Sequence, residues 1–86
     1  MQSELFEEVK RLIINILQIN ITDNEVIVED TPLLGGRPEL DSMAAVGLIE
    51  ALEERYGIVV YDDEIGSELF ETFGSVAEFV EQKMLP

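Results

Sequence analysis

Leu40-Asp41-Ser42-Met43-Ala44-Ala45-Val46-Gly47-Leu48-Ile49-Glu50-Ala51-Leu52-Glu53-Glu54-Arg55-Tyr56-Gly57-Ile58 is the stretch whose reading decides the fold. Ala45, Leu48, Ile49 and Leu52 recur at steps of three and four and mark one apolar face of a helix. Gly57 suits the left-handed position just past its end. Asp41 is expected to cap the start, its carboxylate accepting a backbone N–H one turn in. Ser42 then takes the first helical position, with its hydroxyl facing outward beside N–H groups that have no partner within the helix.

Toward the amino terminus, Leu5, Phe6, Val9, Leu12, Ile13, Ile16 and Leu17 form a second apolar stripe, with Glu4, Glu7, Glu8, Lys10 and Arg11 between them. This predicts an amphipathic helix over about residues 3–18, with Ser3 as its N-cap and Glu4 and Glu7 near the positive end of its dipole. Between the two helices, Asp23-Asn24, Thr31-Pro32, Gly35-Gly36 and Arg37-Pro38 break any periodicity, so residues 19–40 read as a long loop. Ile19, Ile21, Val26, Ile27, Val28, Leu33 and Leu34 are available to pin it to the helices.

Toward the carboxyl terminus, Ile58-Val59-Val60-Tyr61 has no second strand to pair with and is expected to be an extended connection. Asp62-Asp63-Glu64 is expected to open a short, irregular helix over 62–70. Ser75 and Glu78 have the spacing of a capping box, ahead of a stripe of Val76, Ala77, Phe79, Val80 and Met84, which predicts a last helix over 75–84. The sum is an all-α chain forming a single domain over residues 1–86: a four-helix bundle with a long first loop and a short third helix at 62–70, the other helices spanning about 3–18, 42–56 and 75–84.

Composition narrows the function. Nineteen Asp and Glu stand against 5 Lys and Arg, for a formal charge of −14, which repels nucleic-acid phosphates and anionic lipid alike and favours basic protein partners. A hydrophobic share of 47% is enough for a core, so the acidity does not signal disorder. The amino terminus is acidic where a secretory signal is basic, and no apolar run approaches membrane-spanning length, so a cytoplasmic location without membrane insertion is expected. Cys and His are absent, and neither Lys10 nor Lys83 stands in a Ser-Lys motif, so a serine hydrolase would lack its base and is not expected. Gly35-Gly36 lacks the phosphate-loop spacing, and Asp62-Asp63-Glu64 lacks the calcium-loop spacing, so no metal site is assigned.

The residues from Leu40 to Ile58, supported by Val76 to Lys83, closely resemble the phosphopantetheine site and second helix of acyl carrier proteins. The resemblance implies a bundle of acyl-carrier type and a 4′-phosphopantetheine arm, donated by coenzyme A through a separate phosphopantetheinyl transferase and attached to Ser42, with Asp41 helping to present the serine. It further implies that acyl groups ride on the arm as thioesters and are shown to acyl-loading and acyl-processing enzymes with basic docking patches. Met43 and Val46 then give an apolar contact beside the arm, and Glu50, Glu53 and Glu54 an acidic one. The chain is expected to act as a monomer. Gly47 stands where such carriers often have an acidic residue, which means either that a partner or acyl group comes close there or that the position is merely tolerated. Aminoacyl, peptidyl and D-alanyl carriers share the same serine and bundle, and an unmodified acidic helical adaptor shares the composition. Pro38-Glu39-Leu40-Asp41-Ser42-Met43 and Glu68-Leu69-Phe70-Glu71-Thr72 are similar to stretches in specialised bacterial carriers linked to exosortase and exopolysaccharide loci.

Overall fold

The computed structural model describes residues 3–19, 26–33, 42–66 and 68–85. The first apolar stripe forms α1, Ser3–Leu17, which turns Phe6, Val9, Ile13 and Leu17 inward and leaves Glu4, Glu8, Arg11 and Asn15 in solvent. Helix α1 begins at Ser3 itself rather than after it. Its end is a left-handed residue, Gln18 at φ 53°, and the Ile19 amide donates back to the Ile14 carbonyl at 3.1 Å while the Ile19 side chain is buried. That six-to-one closure with an apolar residue behind it terminates the helix without a glycine.

Helix α2, Ser42–Tyr56, sets Leu48, Ile49 and Leu52 into the core and stops at Gly57. Gly57 has φ 65° and donates to the Glu53 carbonyl at 2.9 Å, the left-handed closure that glycine adopts at least cost. Helices α1 and α2 are also tied at one end, where the Glu8 carboxylate accepts from the Tyr56 hydroxyl at 3.3 Å and pairs with Arg55 at 3.5 Å. Burial first, and then the Glu8 charge, pushes the Tyr56 phenol above its ordinary value.

After Gly57 the chain is extended through Val60, whose amide donates to the Glu53 carboxylate at 2.9 Å. The expected helix over 62–70 is not a helix. Asp62–Glu64 makes a single 3-10 turn that buries none of its residues, Ile65 returns to extended geometry, and 68–70 are turns that carry Leu69 and Phe70 into the core. A short helix needs a buried stripe to hold it, and here the apolar residues come adjacent, Leu69 beside Phe70, after the break at Gly66. The 3-10 turn is held from the far end of the chain instead. Lys83 pairs with Glu64 at 2.6 Å and lies 4.9 Å from the centre of the Tyr61 ring, while the Tyr61 amide donates to the Glu64 carboxylate at 3.0 Å. Lys83 and that amide together hold the Glu64 carboxyl below its ordinary value.

Helix α3, Phe73–Met84, begins two residues before the expected Ser75. Thr72 is the N-cap: its hydroxyl accepts from the Ser75 amide at 3.0 Å, and the Ser75 hydroxyl accepts from the Thr72 amide at 3.0 Å. Ser75 thus fills the third position of a capping box that Thr72 opens, rather than opening one toward Glu78. Residues 26–33 form a strap across this start. Leu33 donates to Glu71 at 3.0 Å, Phe73 to Thr31 at 3.1 Å and Gly74 to Glu29 at 2.8 Å, all between backbones. The strap backbone comes so near that a Cβ on Gly74 would lie 2.6 Å from the Glu29 carbonyl oxygen. Among the residues expected to pin the first loop, Ile19 and Leu33 are buried and Ile27 is half-buried, whereas Val26 and Val28 face solvent. Ile21 and Leu34 lie outside the described residues.

The three helices close over one core in which Val9, Ile13, Leu33, Leu48, Leu52, Phe73, Val76 and Val80 have no exposed surface to speak of. Each of the larger of these stabilises the fold by roughly 1.5–3 kcal/mol relative to staying in water. Among the described residues the architecture is all-helical, three α-helices and one 3-10 turn without a strand, the Pro32–Thr72 bridge being isolated. No described helix is long and apolar enough to cross a membrane.

Candidate functional site

The start of α2 is the candidate site, and it is built by subtraction of charge. In a chain of net charge −14, residues 42–49 carry no ionisable side chain at all, and the first turn of α2 holds no carboxylate. A helix start is electropositive and offers N–H groups without intrahelical acceptors. With no carboxylate in its first turn, it suits a phosphodiester anion, whose attraction there is about 0.3–1 kcal/mol at an exposed position. Ser42 is the first residue of the helix. Asp41, expected as the cap, lies outside the described residues, as does the stretch 34–40 before it.

Beside Ser42 the surface is apolar. Met43 is 84% exposed and Val46 56% exposed, so neither packs into the core. One turn on, Glu50 and Glu54 are exposed as well, so Met43, Val46, Gly47, Glu50 and Glu54 share the outward face of α2. Glu53 stands apart from them. It is half-buried, and its carboxylate accepts the Val60 amide, so it fastens the connection that follows α2. That internal bond spans seven residues across the helix end and has no signature in the local pattern of charges.

Gly47 is half-buried in the helical interior, and among the described residues a Cβ placed there would meet only the Ile16 Cγ2, at 4.0 Å. Among the described residues nothing requires glycine at this position. Ile16 on α1 is 40% exposed beside it, an apolar residue that the sequence assigned to the core stripe. Among the described residues, no group of three or more acidic side chains is placed to hold a metal ion.

The family described as "Phosphopantetheine attachment site" matches residues 7–81. The acyl carrier protein of Thermosynechococcus vestitus is 32% identical over 83 residues, covering 96% of this chain and 95% of its own. The chain belongs to the acyl carrier protein family. A Sulfurovum acyl carrier protein is 35% identical over 82 residues, covering 90% of this chain and 95% of its own. The same kinship holds in three dimensions: the solution NMR structure of a holo acyl carrier protein from Nitrosomonas europaea matches with a TM-score of 0.81 at 41% identity, over 96% of this chain and 98% of that one. Acyl carrier proteins are carriers rather than enzymes, and the group they carry covalently is 4′-phosphopantetheine. The start of α2 fits such a group, since it offers a helix N-terminus to the phosphate and its first turn carries no carboxylate.

Proposed function

We propose that Ser42 is the residue to which 4′-phosphopantetheine is joined, and that this carrier holds acyl groups as thioesters on that arm and shows them to the enzymes that load and process them. The observation that carries this reading is the placement of the serine at the start of α2, Ser42–Tyr56, with no carboxylate in the first turn of that helix. The arm supplies the thiol that this cysteine-free chain lacks. The chain's own residues do four things. The helix start receives the phosphodiester; Met43 and Val46 give the arriving enzyme an apolar contact; and Glu50 and Glu54 draw its basic rim into register, setting encounter rate more than affinity. Asp41 presents the serine to the transferase. The acidic surface favours basic enzymes over nucleic acid or anionic lipid as partners, and a monomer working in the cytoplasm is the state in which those enzymes meet it.

The test is the protein drawn from its own cell. Intact mass should show the pantetheine adduct together with an acyl increment that neutral hydroxylamine removes, because a thioester yields to it. An increment with the mass of an amino acid would assign the aminoacyl or D-alanyl reading in place of the acyl one. Protein recovered wholly unmodified would sink both.

A further inference from the structure

We propose that Gly47 and Ile16 form a notch between α2 and α1 that receives an uncharged, apolar side chain of the enzymes this carrier serves, so that α1 takes part in choosing them. The proposal rests on the carrier reading above and adds a contact to it. Four observations lead there. A glycine in a helix interior costs about 0.5–1 kcal/mol relative to alanine, and at Gly47 nothing among the described residues explains that cost: its φ is not positive, and of the described atoms an added Cβ would find only Ile16 Cγ2 at 4.0 Å. Ile16, the neighbour of that position, is 40% exposed although it belongs to the apolar stripe of α1. Met43, one turn before Gly47, and Val46, next to it, continue the same apolar surface toward Ser42. Finally, Glu50 and Glu54 bound this surface on its far side, and no ionisable group lies within residues 42–49.

Charge decides between the occupants. A second copy of the chain would bring another −14 to the surface and set its own carboxylates near Glu50 and Glu54. An enzyme with a basic patch satisfies Glu50 and Glu54 and needs an apolar residue, not a charged one, where it meets Gly47 and Ile16. Apolar knobs seated in small pockets at the centre of a charged rim carry a large share of binding in protein interfaces.

The experiment reads loading and folding side by side. Wild type, Gly47→Ala, Gly47→Leu, Ile16→Ala and the solvent-facing control Asn15→Ala are converted to the pantetheinylated form with coenzyme A, Mg²⁺ and a broad-specificity transferase. Each is then incubated with clarified extract of the native cell, ATP and Mg²⁺, and initial acylation is followed by intact mass, with thermal unfolding and sedimentation measured on the same samples. Gly47→Ala should unfold at a higher temperature than wild type yet load more slowly. Gly47→Leu, which fills the notch, should load about tenfold more slowly, and Ile16→Ala should also slow, while Asn15→Ala keeps the wild-type rate. Wild-type loading rates in both Gly47 variants would overturn the notch and leave the carrier reading intact. A wild-type protein that accepts no pantetheine would instead overturn the carrier reading. A wild type that sediments as a dimer, and a Gly47→Leu variant that does not, would give the notch to a second copy and refute the enzyme as occupant.

Discussion

Gly74→Ala adds a single methyl group, and the structure says where it goes. The new Cβ would stand 2.6 Å from the Glu29 carbonyl oxygen, 2.8 Å from its Cβ and 3.0 Å from its Cα. Two of these three atoms are backbone, so no rotamer change relieves the overlap and the strap itself must move. Overpacking of this kind costs roughly 1–3 kcal/mol. Moving the strap also weakens the 2.8 Å bond from the Gly74 amide to Glu29 and strains its neighbour from Phe73 to Thr31, each contributing about 0.5–1.5 kcal/mol. The gain in helix propensity, at most about 1 kcal/mol, offsets part of this. A net loss of about 2–3 kcal/mol follows, which for a domain of this size lowers the melting temperature by about 10–20 °C. Urea unfolding followed by circular dichroism measures it, with Gly47→Ala as the internal contrast. That change should stabilise by about 0.5–1 kcal/mol, because its Cβ meets nothing closer than 4.0 Å among the described residues. Two glycines in helices should thus respond to one substitution with opposite signs. A Gly74→Ala protein as stable as wild type would refute the pinning of the strap to α3.

Three further outcomes follow from the same geometry. Glu53→Ala strands the half-buried Val60 amide and should destabilise by about 1–2 kcal/mol in urea, whereas Glu54→Ala should stay within about 0.5 kcal/mol of wild type. The Glu64 carboxyl is held below its ordinary value, so its contribution is present above the unfolded-state pKa and is lost as pH falls through the lower folded value. Melting temperatures of wild type and Glu64→Gln should therefore differ at pH 6 and converge as the pH drops below the ordinary carboxylate range, and a gap that persists at pH 2 would contradict the Lys83 clasp. Glu50→Lys with Glu54→Lys should slow pantetheinylation at low salt and approach the wild-type rate at high salt, since screening removes a steering effect; a deficit independent of salt would argue for a direct contact instead.

The helices that bury a continuous stripe were legible in the sequence, because Leu48, Ile49 and Leu52 on one side and Val9, Ile13 and Leu17 on the other are placed by periodicity alone. The 3-10 turn was misread for the same reason in reverse. Asp62-Asp63-Glu64 looks like a good helix start, but no buried stripe follows it, and its hold comes from Lys83, some twenty residues on. The start of α3 was displaced because a serine, Ser75, takes the reciprocal capping role usually read from Glu or Gln, its hydroxyl both accepting from Thr72 and donating to the Leu69 carbonyl at 2.8 Å. At the site, the resemblance to acyl carrier proteins singled out Met43, Val46, Glu50 and Glu54, all of which are exposed. The inward use of Glu53 and the exposure of Ile16 were not legible, since each depends on which element packs beside it.

The central claim is that Ser42 is the tether. Intact mass after incubation with coenzyme A, Mg²⁺ and a broad-specificity phosphopantetheinyl transferase tests it most directly. Wild type should gain a single phosphopantetheine, and a folded Ser42→Ala protein should gain none. An adduct that persists on Ser42→Ala, or its absence from wild type while a control carrier is modified, would contradict the account.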